Sequence, residues 1–293
     1  MCDGNTFADM DRFRQSHPAE LTRWQFGLLS ARKGLAMLLR EAGTAALEVV
    51  GRDVDVQTPD GKADAHFVHP ASREYPGVLI WPDAFGLRPA MKQIGRRLAE
   101  SGYAVLVVNP YYRIGRAPLP LEGSDFNDEK TCNEMMSMMA SLTPERQATD
   151  ATAFVDYLGA QPAVDPDRKM GTIGYCMGGP ITVRTAAARA DRIGAGASFH
   201  GGRLVTDEPD SPHLLVPKLN AHYLFAIAQN DDEAEPETKK VLRDAFAKRE
   251  VPAEIEVYEG ALHGWCPPDM PVYHEAQAER AWSRLLVLFE GAL

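Results

Sequence analysis

Apolar residues recur along this chain with two periods, and the change between them falls near residue 47. Within residues 7–42, Leu21, Trp24, Leu28, Ala31, Leu35 and Leu38 alternate spacings of three and four. That spacing predicts one face of an amphipathic helix, with Gly43 as its stop. From Leu47 the pattern becomes that of strands. Glu48–Thr58 sets Val50, Val54 and Val56 among polar residues, Pro59–Asp60–Gly61 reads as a turn, and Ala63–His69 reads as a second strand. Short apolar runs follow at Gly77–Trp81, Ala104–Val108, Lys169–Ile173, Gly194–Phe199, Tyr223–Ala228 and Ala253–Tyr258. Such runs suit strands buried on both faces. Helical patterns separate several of them: Met91, Ile94 and Leu98 share one face, and Ala151, Phe154, Val155 and Leu158 share another. Alternation of this kind predicts an α/β fold, a mostly parallel sheet with helices on both faces.

No internal repeat or low-complexity linker interrupts the pattern, so the expected organisation is one α/β domain over 47–293 behind an N-terminal helical extension, 1–46. Packing on its own body is the favoured reading of the extension. A lid, or an arm that builds a homodimer, is the functional alternative. A length of 293 residues suits one large α/β domain.

Composition narrows the functional classes. A net charge of −10 argues against nucleic acid and anionic membrane surfaces as partners. No run reaches the ~18 apolar residues of a membrane span, and the N-terminus carries no apolar signal core, so a cytoplasmic protein is expected. Cys2, Cys132, Cys176 and Cys266 lie far apart without paired spacing, which favours free thiols over a disulfide framework. Gly178–Gly179 lacks a dinucleotide fingerprint, and no Walker sequence or metal-ligand cluster is present; no cofactor and no metal are expected.

The chemistry concentrates at Lys169–Pro180, where an apolar run ends in Gly174-x-Cys176-x-Gly178 ahead of a helical pattern. In that context a G-x-nucleophile-x-G sequence forms a nucleophile elbow. Its glycines remove side chains that would collide at the sharp turn, and the helix N-terminus favours a thiolate. The structural alternative is a buried cysteine in a glycine-rich turn. A cysteine nucleophile needs a base, and the base an orienting acid. The strand Ala253–Tyr258 runs into Glu259-Gly260-Ala261-Leu262-His263-Gly264, which offers His263 as base. The strand before it runs into Gln229-Asn230-Asp231-Asp232, which offers Asp231 as acid, with Asp232 the neighbouring alternative. The backbone N–H of Met177 and that of Ala84, in the loop after Gly77–Trp81, are the candidate oxyanion donors.

With those parts in place, the chain resembles the dienelactone hydrolase family, cysteine enzymes of the α/β-hydrolase fold. The likeness covers roughly residues 47–293. It rests on Gly174-Tyr175-Cys176-Met177-Gly178-Gly179, Asp83-Ala84-Phe85-Gly86, Phe199-His200-Gly201-Gly202, Asn230-Asp231-Asp232 and His263-Gly264. The resemblance implies hydrolysis of small carboxylic esters or enol-lactones through an acyl-enzyme. It also implies that Asp83, where the family has a glutamate, tunes the thiol, and that arginines hold a substrate carboxylate. Arg113 matches the Tyr-x-Arg-like segment, with Arg116 as alternative. No arginine follows His263, and Arg203 could stand in for it. Met135, Met136, Met138 and Met139 suit either a pocket wall or helix core. A broader esterase or thioesterase of the same fold, and a catalytically silent binding protein, are the competing functions.

Overall fold

The computed structural model describes residues 47–119 and 129–293; the helix expected in the N-terminal extension, and any dimer contact through it, lie outside the described residues. An antiparallel hairpin, β1 (Val49–Thr58) and β2 (Gly61–Pro70), opens the sheet. Then come β3 (Gly77–Trp81), α1 (Pro89–Glu100), β4 (Ala104–Val108), α2 (Glu129–Ala140), α3 (Pro144–Gly159), β5 (Met170–Tyr175) and α4 (Gly178–Ala188). After β6 (Ile193–Phe199), a 3₁₀ turn at Pro212–Lys218 leads to β7 (His222–Ala228), α5 (Gln229–Ala234), α6 (Thr238–Arg249), β8 (Ala253–Tyr258) and α7 (Glu275–Ala292).

The eight strands lie in the order β1-β2-β4-β3-β5-β6-β7-β8. β2 runs antiparallel to both β1 and β4, and every later pairing is parallel. The two-sided burial expected of apolar runs holds for β3, β4, β5 and β6, in which every residue is buried. Their alternate side chains divide between two cores. Leu79, Trp81 and Leu106 pack with Phe154 of α3, Ile181 of α4 and Phe246 of α6. Val78, Ile80, Val105 and Val107 pack on the other face with Met91 and Leu98 of α1 and Leu285 and Phe289 of α7. Phe154 and Phe289 are fully buried, one in each layer. Truncating either to alanine costs about 3–5 kcal/mol, a large part of the ~5–15 kcal/mol that holds a domain. Both helical layers are therefore needed to hold the sheet.

Parallel strands deliver their C-terminal ends to one edge. The segments after β3, β4, β5, β6, β7 and β8 all emerge there, which is where sites form in open α/β sheets.

Candidate active site

Cys176 follows β5 directly, at φ +52°, a left-handed conformation that a residue with a Cβ adopts only under local constraint. The constraint is visible. Its N–H donates to the Phe199 carbonyl at 3.1 Å, and its own carbonyl accepts from Gly179 N–H at 3.0 Å. A Cβ at position 174 would sit 2.1 Å from the Gly178 carbonyl oxygen, and one at position 178 would sit 2.4 Å from that of Trp81. Only glycine fits at either place, so the G-x-C-x-G spacing is a steric requirement of the turn. Cys176 is 6% exposed at the head of α4.

His263 stands in the loop after β8, and its Nδ1 lies 2.9 Å from both carboxylate oxygens of Asp231. Asp231 occupies the first turn of α5, a helix in a segment that reads as loop from sequence. Three hydrogen bonds fasten the two loops together: Gln229 N–H to Ala261 O at 2.8 Å, Gly260 N–H to Gln229 Oε1 at 2.7 Å, and His263 N–H to Asn230 Oδ1 at 2.9 Å. Asp232 faces away from the histidine and forms an ion pair with Lys239.

The second ring nitrogen of His263 is buried and has no oxygen or nitrogen partner among the described residues. The group that bears on it is the Cys176 thiol, through a side-chain hydrogen bond and through charge. Burial alone would strip His263 of its proton. Cys176 and Asp231 together outweigh burial and bring its pKa up to about 10. At neutral pH the imidazole is thus a cation between two acidic groups, the arrangement that supports a thiolate.

Behind it His200, at φ +41°, is fully buried, with its ring centroid 5.0 Å from that of His263 and edge-on to it. Burial, with the charge of His263 beside it, holds His200 well below the usual histidine range, so it is neutral. Neither of its ring nitrogens has a partner among the described residues.

The loop after β3 forms the opposite wall. Ala84 is buried against Met135 of α2, with Phe85, Met138 and Met139 packed around the pair. The methionine cluster is therefore helical, and one side of it covers this loop. Among the described residues neither Ala84 N–H nor Met177 N–H donates a hydrogen bond. The Tyr111 hydroxyl lies 3.1 Å from the Ala84 carbonyl and 3.1 Å from the Met177 sulfur, touching both residues that carry those free groups.

Asp83 is buried beneath the loop. Both its oxygens accept from Arg88, at 2.6 and 2.9 Å, and Oδ1 also accepts Phe85 N–H at 3.0 Å. Burial pushes its carboxyl upward, against the opposing charge of Arg88. Of the other arginines, Arg113 is held by Asp60 and Asp150 at 2.7–2.9 Å. Arg116 pairs with Asp55 at 2.9 Å. Arg203, exposed and at φ +56°, makes no hydrogen bond or ion pair among the described residues. Tyr111 and His200 lie within segments singled out in the sequence, and Arg88 lies two residues past one. The contacts that place them reach across the fold: Tyr111 to Ala84, 27 positions away, His200 to His263, and Arg88 to Asp269, 181 positions away.

A mostly parallel sheet with a strand–turn–helix elbow and a histidine after the last strand defines an α/β-hydrolase. The model of the dienelactone hydrolase family matches residues 63–293, and the chain belongs to that family. A Salmonella typhi protein provisionally named a carboxymethylenebutenolidase is 29% identical over 254 residues, spanning 80% of this chain and 90% of its own. A carboxymethylenebutenolidase of Rhodococcus opacus is 27% identical over 245 residues, spanning 81% of this chain and 90% of its own. Among solved structures, a dienelactone hydrolase-like promiscuous phosphotriesterase from metagenomic libraries matches with a TM-score of 0.69 at 25% identity. That match covers 83% of this chain and 98% of the other. No helix among the described residues is long and apolar enough to cross a membrane.

Proposed function

We propose that the protein hydrolyses small, activated carboxylic esters or lactones through a Cys176–His263–Asp231 triad and an acyl-enzyme. One observation carries the reading: a buried histidine has its Nδ1 2.9 Å from the Asp231 carboxylate and the elbow thiol on its other side, and the two together push its pKa up against burial.

The reaction follows from those positions. The Cys176 thiolate attacks the substrate carbonyl carbon, and the carbonyl oxygen becomes an oxyanion that takes the free N–H groups of Ala84 and Met177. The intermediate collapses to a thioester, and the departing alkoxide or enolate takes the Nε2 proton of His263. His263, now neutral, accepts a proton from water as that water attacks the thioester. The acid leaves, and thiolate and imidazolium are restored. In a lactone, the departing oxygen and the acyl group stay in one molecule, so the ring opens. Asp231 holds the imidazole in the orientation and tautomer both steps need.

The names of the relatives support lactones as the substrate class. Of the arginines the resemblance points to, Arg113 and Arg116 are committed to carboxylates of the protein itself, which leaves Arg203 to meet a substrate carboxylate. A turnover panel of enol-lactones, p-nitrophenyl esters and thioesters tests the reading. The wild type should prefer the first two and the Cys176→Ala variant should turn over none; wild-type inactivity across the panel would refute it. Faster thioester turnover would favour the broader thioesterase.

A further inference from the structure

Arg88 is a buried guanidinium that binds two loops far apart in sequence. At the head of α1 it is 5% exposed, with Pro89 fixing the first turn behind it. Its Nη1 and Nη2 donate to Asp83, while its Nε and Nη2 donate to Asp269 at 2.6 and 3.0 Å. Asp83 begins the loop that carries Ala84. Asp269 lies six residues beyond His263, across the stiff Pro267–Pro268 pair and the buried Trp265. Among the described residues no backbone hydrogen bond joins these two loops. The guanidinium also lies over the Phe85 ring, 5.2 Å from its centroid.

The local consequence concerns the peptide groups. Arg88 fixes the Asp83 carboxylate, and that carboxylate takes Phe85 N–H, while Gly86 N–H is taken by the Asp83 carbonyl at 2.9 Å. Of the three successive amides in this turn, that of Ala84 is left free. Buried ion pairs add little net stability compared with apolar packing, but a two-carboxylate fork fixes geometry tightly. We infer that Arg88 is a positioning residue: by tying Asp83 to Asp269 it holds the Ala84 N–H at a fixed distance from the Cys176–His263 pair. This rests on the hydrolase reading above.

His263 has its own supports, Asn230 and Asp231, which are independent of Arg88. The clamp therefore acts on oxyanion stabilisation and leaves the thiolate pair intact, and two assays separate them. Alkylation by iodoacetamide needs the thiolate but no oxyanion donor; ester turnover needs both. Asp269 is partly exposed, so Asp269→Ala should fold and leave Arg88 paired with Asp83. Arg88→Lys keeps the charge but loses the fork. For each variant, kcat should fall ~10-fold or more with KM within about two-fold, because a displacement near 1 Å at the reacting centre costs up to ~10²-fold. The alkylation rate at Cys176 should stay within about two-fold of wild type. An unchanged kcat in Asp269→Ala, or alkylation falling in parallel with kcat, would overturn the inference. Failure of the wild type to be labelled at Cys176 would instead refute the hydrolase reading.

Discussion

Asp231 places both carboxylate oxygens 2.9 Å from Nδ1 of His263, while the next residue, Asp232, is held by Lys239. Consecutive residues on a short helix point in different directions, so only one of the two reaches the imidazole. Asp231→Asn is expected to lower kcat ~10⁴-fold, the size seen when a triad acid loses its charge and the wrong tautomer is favoured. Asp232→Asn should remain within a few-fold of wild type. Steady-state kinetics on one p-nitrophenyl ester decides between them, and the reverse ranking would reassign the acid.

The raised pKa of His263 fixes a direction for pH dependence. The unfolded histidine titrates near ~6.5; the folded one is held up to about 10 by Cys176 and Asp231 against burial. The stabilisation is therefore complete below the unfolded value and is lost as pH rises through about 10. For esters with alkyl leaving groups, which need a proton on departure, kcat/KM should fall over that same alkaline range. In Asp231→Asn, where one source of the shift is removed, the alkaline limb should move to lower pH. A limb that stays in place would show that Asp231 does not raise the histidine.

Arg113 answers to Asp150, which is 2% exposed, and to Asp60. Arg113→Ala leaves the buried Asp150 carboxylate without its charge partner, and breaking such a pair costs about 3 kcal/mol. The melting temperature should drop clearly, while KM for acidic substrates, measured where the variant is folded, should change little. Arg203→Ala should do the opposite: unchanged melting temperature and a higher KM for acidic substrates only. A rise in KM confined to Arg113→Ala would return carboxylate recognition to the position expected from the resemblance.

The strand framework was legible because its signals are local. β3 and β4 match the expected runs, since buried parallel strands are continuous apolar runs. β8 matches the expected bounds Ala253–Tyr258, but as the edge strand it alternates and buries only Ile255 and Tyr258. The elbow was legible for a similar reason, because Gly174 and Gly178 meet backbone within a few residues or on the neighbouring β3. Ion-pair partners were not. Nothing near Arg113 in sequence announces Asp60 or Asp150, and nothing near Arg88 announces Asp269, 181 residues away. An arginine in a substrate-binding motif and an arginine neutralised by its own fold read alike until the chain is folded. The acid segment reads as loop because its five polar residues and one alanine carry no apolar period, and the short helix it forms buries none of them.

Gly178→Ala tests the steric claim at the elbow. Its Cβ would fall 2.4 Å from the Trp81 carbonyl and 2.8 Å from that of Pro82, both backbone atoms that cannot swing aside. The variant should lose stability by more than the ~1 kcal/mol typical of point changes and lose most of its turnover. Wild-type melting and activity together would show that the turn has slack which the geometry denies.

The most direct test of the account is the covalent state of Cys176 during turnover. A slowly hydrolysed p-nitrophenyl ester, quenched in acid at steady state and read by intact-mass spectrometry with peptide mapping, should show one added acyl group on the peptide that contains Cys176. The adduct should be absent in Cys176→Ala, which should also be inactive. A Cys176→Ala enzyme that still turns over substrate, or an acyl group on another residue of the wild type, would contradict the account.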